Sequence, residues 1–227
     1  MSNGIDNVFV AIWVTWVTAL LWRRSRGPSP PRYVQDLRPW QVPRPAQWHG
    51  DMTALVVYES MYGSTRAVAE AVGEGLREGR VPVRVVEVGA LTSGPEHGAL
   101  PDDVTLLVVG GPTHAFGMSR ESTRADAARD ATEAGVVSTG PGVREWLDGL
   151  HLPERLPVAA FDTKVAKPML PGSAAKAAAK RLRALGGRPV TPPHSFKVLG
   201  KTEGLVDGEL DEARSWGKGL AVATALP

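Results

Sequence analysis

The chain has no cysteine. That absence removes disulfides, thiolate metal sites and thiol nucleophiles together. Aromatic residues are scarce, at 6% of 227 residues, and unevenly placed, since five of the seven Trp fall in residues 1–51. Charge of one sign is missing from the body of the chain. Residues 1–51 hold six arginines against three acids, whereas the remainder holds 20 basic and 21 acidic residues. The high pI therefore originates in the N-terminal stretch and lends no support to nucleic-acid binding.

A long hydrophobic run is also lacking. Val8 to Trp22 carries no charge for fifteen residues, short of the ~20 that span a bilayer. Arg23, Arg24 and Arg26 follow it, and as a weak anchor it would leave the rest of the chain in the cytosol. It fails as a signal peptide, because no basic residue precedes it and no small-x-small site closes it. The Pro-, Arg- and Trp-rich piece up to residue 51 has no apolar periodicity and reads as disordered. The preferred reading is that Met52 is the natural start, with a membrane anchor over residues 8–22 second. Residues 1–51 are thus set apart from a domain over residues 52–227, which is placed in the cytoplasm.

What is present begins at Thr53. Leu55, Val56, Val57 and Tyr58 form a short apolar run, as expected of a strand buried on both faces. Ser60, Met61, Tyr62, Gly63, Ser64 and Thr65 form a hydroxyl-rich loop. Val68, Val72 and Leu76 then recur every four residues, which predicts an amphipathic helix. Strand, hydroxyl loop and helix together make an anion site, because the first backbone N–H groups of a helix have no partner within it. The loop is neither G-x-x-x-x-G-K-[ST] nor G-x-G-x-x-G, which argues against a nucleoside triphosphate and a dinucleotide.

Further strands are predicted at 83–88, 104–109, 156–161 and 196–199. Pro192 and Pro193 place the last at an edge. Helices are predicted within 119–134, over 143–150 and 172–185, and from Asp207 onward. Arg120 and Arg124 read as a solvated face, and Leu210, Ala213, Trp216, Leu220 and Ala223 as the packed face of the last helix. Apolar strands alternating with helices argue a parallel sheet covered on both sides.

The loop at 56–69 resembles the flavodoxin signature: Val56, Val57, Tyr58, Ser60, Gly63, Thr65 and Ala69 each fall on a specified position. In that family the loop wraps the phosphate of FMN. The run Gly110-Gly111-Pro112-Thr113-His114-Ala115-Phe116-Gly117 resembles the loop the family sets against the flavin ring. There Pro112 through Gly117 would contact the flavin, with Thr113 bonding its polar edge and His114 or Phe116 stacking on it. Asp162, Thr163 and Lys164 stand where the third flavin loop is expected. That loop departs from the family: it has no aromatic and carries Lys164 and Lys167. A lysine near the ring would raise the flavin's reduction potential.

The resemblance covers residues 53–225 and is motif-specific only in the first two loops. It implies a flavodoxin-like doubly wound five-stranded parallel sheet, order 2-1-3-4-5, with helices on both faces. It also implies FMN binding and electron transfer to a redox partner protein or a small acceptor such as a quinone, with no catalytic side chain and no metal. One alternative is an FMN-dependent NAD(P)H:quinone-type reductase of the same fold, with His114 as proton donor. The other is a binding module that has lost the flavin.

Overall fold

The computed structural model describes residues 53–92, 99–114, 117–131, 135–166 and 171–225. The expectations for residues 1–51 therefore lie outside the described residues. Among the described residues, no helix is long and apolar enough to cross a membrane.

The elements run β1 (Thr53–Tyr58), α1 (Ser64–Glu78), β2 (Val83–Glu87), α2 (Val88–Thr92), β3 (Val104–Pro112), α3 (Glu121–Asp130), α4 (Val143–Gly149), β4 (Pro157–Val165), α5 (Ala174–Ala184), β5 (Arg188–Pro189), β6 (His194–Val198) and α6 (Glu209–Ala225). All strand pairs are parallel, and the sheet order is β2-β1-β3-β4-β5, with β6 also pairing β4. This is the order expected from the sequence, with one refinement. The fifth position is filled by two pieces: Arg188–Pro189 pairs with the start of β4 and His194–Val198 with its end. The interruption spans Pro192 and Pro193, which have no amide hydrogen to give a ladder.

Alternation along β1 sorts its side chains to two cores. Ala54, Val56 and Tyr58 join Val68, Val72 and Leu76 of α1 and Ala213 and Leu220 of α6 on one face. Leu55 and Val57 join Trp146 and Leu147 of α4 and Leu182 of α5 on the other. Each fully buried aliphatic side chain contributes roughly 1.5–3 kcal/mol, and two such layers around one sheet make the doubly wound form. Helix α1 ends at Gly79, and α5 opens on Ser173, whose hydroxyl accepts from the Lys176 amide.

Three expectations are corrected. Strand β3 continues three residues past Val109, and β4 continues through Val165, so Asp162, Thr163 and Lys164 are strand rather than loop. The ladder persists because Gly111 and Pro112 still find Asp162 and Thr163 as partners, and Thr163 finds Phe196. Arg124 is not solvated: its side chain is 10% exposed, with Nη1 donating to Ser119 Oγ at 2.9 Å and lying 3.1 Å from Glu145 Oε2. Leu210 is exposed, whereas Ala213, Trp216 and Leu220 pack as expected, joined on that face of α6 by Gly217 and Ala221.

Candidate functional site

The carboxyl ends of β1, β3, β4 and β6 converge on a cleft of about 340 Å³. Of the residues singled out from the sequence, Met61, Tyr62, Ser64, Thr65, Pro112, Thr113, His114, Thr163 and Lys164 line it. Ser60, Gly63, Gly117 and Asp162 do not, and Ala115 and Phe116 lie outside the described residues.

The floor is the loop between β1 and α1. Ser60 is wholly buried, and its hydroxyl accepts from the amides of Gly63 and Arg66 at 3.2 Å each. It is the internal brace of the loop, so its oxygen is not offered to a ligand. Gly63 sits at φ +94°, a left-handed conformation, and a Cβ built there would meet nothing within 4 Å. Glycine reaches that φ at little cost. The turn delivers the chain into the fifteen-residue α1, with Gly63 itself supplying no side-chain cap. Among the described residues, the amides of Ser64 and Thr65 have no acceptor. They stand at the positive end of the helix dipole.

Thr65 Oγ1 and Thr163 Oγ1 are 2.7 Å apart. Two hydroxyls sharing one hydrogen bond keep one O–H between them to donate elsewhere. The nearby Arg66 is taken up by Glu70 at 2.7 Å, so the donors of the loop itself are neutral.

The second wall is the end of β3. Thr113 lines the cleft, but its hydroxyl donates to Asp162 Oδ2 and accepts from the Ala174 amide, both at 2.9 Å. Asp162 Oδ2 also receives Ser173 Oγ at 2.5 Å and the Ala175 amide at 2.9 Å. Asp162 is therefore turned away from the cleft, onto the start of α5. His114 and Gly117 exchange backbone hydrogen bonds of 2.9 and 2.8 Å, closing a tight loop. Burial, then the positive charges of Arg124 and Lys201, hold the His114 imidazole below its usual pKa.

Sequence reasoning missed the third wall. Thr123, Asp126, Ala127 and Asp130 of α3 line the cleft, as do Val165, Val198, Gly200 and Lys201. Helix α3 is tied on by the Tyr62 hydroxyl, which donates to Ala127 O at 3.1 Å, and by an exposed ion pair of 2.9 Å between Lys201 and Asp130. The low apolar content of α3 gave no sign of which face would meet the cleft. Its contacts come from residues 65 and 71 positions away.

The donor set fits a phosphate monoester: neutral amides and hydroxyls at a helix N-terminus, with open space over Gly63. Comparison with known proteins bears on the fold. The profile of the flavodoxin family matches residues 56–146. No characterised protein matches the chain by sequence. Among solved structures, oxidised flavodoxin 1 from Bacillus cereus is 16% identical, with TM-score 0.53, covering 75% of this chain and 97% of that one. Oxidised flavodoxin 2 from Bacillus cereus is 18% identical, with TM-score 0.51, covering 76% and 97%. Rubredoxin oxygen:oxidoreductase from Desulfovibrio gigas is 17% identical, with TM-score 0.51, over 79% of this chain but only 38% of that one.

Proposed function

We propose, on the premise that this chain is a flavodoxin-like protein, that its cleft holds FMN by the phosphate and that it carries electrons. One observation carries the reading: the opening of α1 presents two amides without an acceptor among the described residues, beside the Ser64 and Thr65 hydroxyls. A buried or half-buried amide without a partner costs free energy, and a phosphate oxygen relieves that cost. When bound, the flavin supplies one- and two-electron redox chemistry.

The chain's own residues position and tune. Met61, Tyr62, Pro112 and His114 supply the apolar and planar surface, and Lys164 adds positive charge to the cleft wall. That charge favours a reduced flavin carrying an extra negative charge and raises the reduction potential. Burial and the charges of Arg124 and Lys201 lower the His114 pKa, which disfavours the imidazolium that would hand a proton to an acceptor. This favours a carrier over an NAD(P)H-dependent reductase. The partner is a redox protein or a small acceptor such as a quinone.

The test is a fluorescence titration with FMN, followed by mixing the loaded protein with NAD(P)H. A carrier quenches FMN on binding and is reduced slowly by NAD(P)H alone. Rapid reduction would establish the reductase. Failure to bind flavin would leave the module without a cofactor.

A further inference from the structure

Behind the loop that opens α1 runs a chain of buried and half-buried hydrogen bonds whose side chains, those of Ser138 and Glu87, do not line the cleft. Glu87 ends β2. Its Oε1 accepts from Ser138 Oγ at 2.7 Å and its Oε2 from the Gly89 amide at 2.8 Å. Ser138 Oγ in turn accepts from the Ser60 amide at 2.9 Å. The backbone runs the other way: Ser138 N donates to Ser60 O and Val137 N to Met61 O, both at 2.9 Å. Ser60 is 0% exposed and Ser138 is 2% exposed. Neither Ser138 nor Glu87 lines the cleft.

The two carbonyls taken by this segment are the informative ones. In a helix that simply continued backward, the amides of Ser64 and Thr65 would donate to the carbonyls four residues earlier, those of Ser60 and Met61. Ser138 N and Val137 N occupy those carbonyls. The amides of Ser64 and Thr65, at the start of the helix, meet no acceptor among the described residues. The Ser138 hydroxyl fixes the same turn from its other side. With its hydrogen given to Glu87, its lone pair faces the Ser60 amide. Ser60 then holds Gly63 and Arg66 through its own hydroxyl. The turn is set by Ser60, and Ser60 is set by a relay from a strand end and a segment 78 residues away.

We infer that Ser138, with Glu87 behind it, is a positioning residue for the phosphate loop, holding the Ser64 and Thr65 amides ready for a phosphate monoester. The inference rests on the FMN reading above and adds the residues that prepare the site. Burial raises the Glu87 carboxyl above its usual pKa, with the Ser138 hydroxyl and the Gly89 amide opposing, which agrees with a group enclosed in this relay.

The test compares two ligands that differ only in the phosphate. Ser138→Ala removes the hydroxyl and leaves the backbone bond to Ser60 O. FMN affinity is expected to fall about 10- to 100-fold, the cost of leaving buried donors and acceptors unpaired. Riboflavin affinity is expected to stay within about two-fold, because it has no phosphate to read the loop. Hydrogen exchange of the Ser60 amide is expected to quicken about 10-fold or more.

An equal loss for both ligands, or no loss for either, overturns the inference while leaving the FMN reading intact. A parent protein that binds no FMN sinks the reading and the inference together, even if Ser60 exchange quickens. If Ser138→Ala does not fold, Glu87→Gln gives the same comparison. An NH2 replaces one of the two accepting carboxylate oxygens, so Ser138 and Gly89 cannot both keep their bonds, and the FMN-to-riboflavin ratio is expected to drop.

Discussion

Gly75 sits in the middle of α1, where alanine ordinarily stabilises a helix by about 1 kcal/mol. Here the sign should reverse. A Cβ at Gly75 would lie 2.0 Å from Arg214 O, 2.9 Å from Arg214 C and 3.0 Å from Gly217 Cα, all of them backbone atoms of α6. Ordinary contact begins at 3.4 Å, so the helices would have to part by about 1.4 Å. No side chain can swing aside to absorb the shift. The layer that would open contains Val72, Leu76, Ala213, Leu220 and Ala221, all buried. Overpacking costs about 1–3 kcal/mol, occasionally more, and backbone against backbone belongs at the upper end. With helix propensity returning about 1 kcal/mol, Gly75→Ala should lose about 2 kcal/mol net. Thermal unfolding followed by circular dichroism should show a Tm lower by about 4–8 °C. The control is Gly219→Ala on α6, where nothing lies within 4 Å of the added carbon. It should gain about 0.5–1 kcal/mol. A Gly75→Ala protein as stable as its parent would refute the packing argument.

Other outcomes follow from the same geometry. Gly63→Ala meets no atom but must hold φ +94°, so urea unfolding should show a loss of about 1–2 kcal/mol, with Gly63→Asn losing less. Equal losses for the two variants would mean that the φ is not what matters. Glu59 is 1% exposed, and burial raises its folded-state pKa above the ordinary 4.5 despite donors from Ser119 and Val143 and the charge of Arg124. Folding therefore favours its protonated form. That contribution is full below about pH 4.5 and is lost as pH rises through the raised folded value. The stability of the parent relative to Glu59→Gln should accordingly fall between pH 4.5 and the folded pKa. A relative stability that rose across that window would contradict the assignment.

The parts of the fold legible in the sequence are those set by local pattern. Leu55–Tyr58 announces a strand buried on both faces, and Val68, Val72 and Leu76 a helix with one buried side. All of them are buried. Trp146, Leu147 and Leu150, within the helix predicted over 143–150, are buried, and Gly186 at φ +92° follows the helix predicted over 172–185. What escaped was set by partners far along the chain. Gly110 reads as part of a ligand loop, but it lies in β3, where a Cβ would meet the Phe161 ring at 2.0 Å. Asp162 reads as a loop acid beside a flavin. Its carboxylate instead receives Ser173, Thr113 and Ala175, and the strand continues around it. Arg124 sits in a helix whose charged sequence says solvent. Only Glu145, 21 positions on, and Ser119 explain its burial.

The candidate site divides along the same line. The loop of 61–65 was legible because its residue types and spacing form a motif. Ser138 and Glu87 carry no motif, since a serine in a Gly-rich stretch and an acid at a strand end are unremarkable until the fold brings them together. Helix α3 was expected, but not as a wall of the cleft.

The most direct measurement is retention of flavin. The full-length chain is incubated with FMN and, separately, with riboflavin, desalted, and its visible absorbance recorded. The account requires FMN to elute with the protein in equimolar amount and riboflavin to be largely lost, because the phosphate loop does the holding. FMN lost as readily as riboflavin would contradict it, and the loop from Ser60 to Thr65 would then be a braced turn without a ligand.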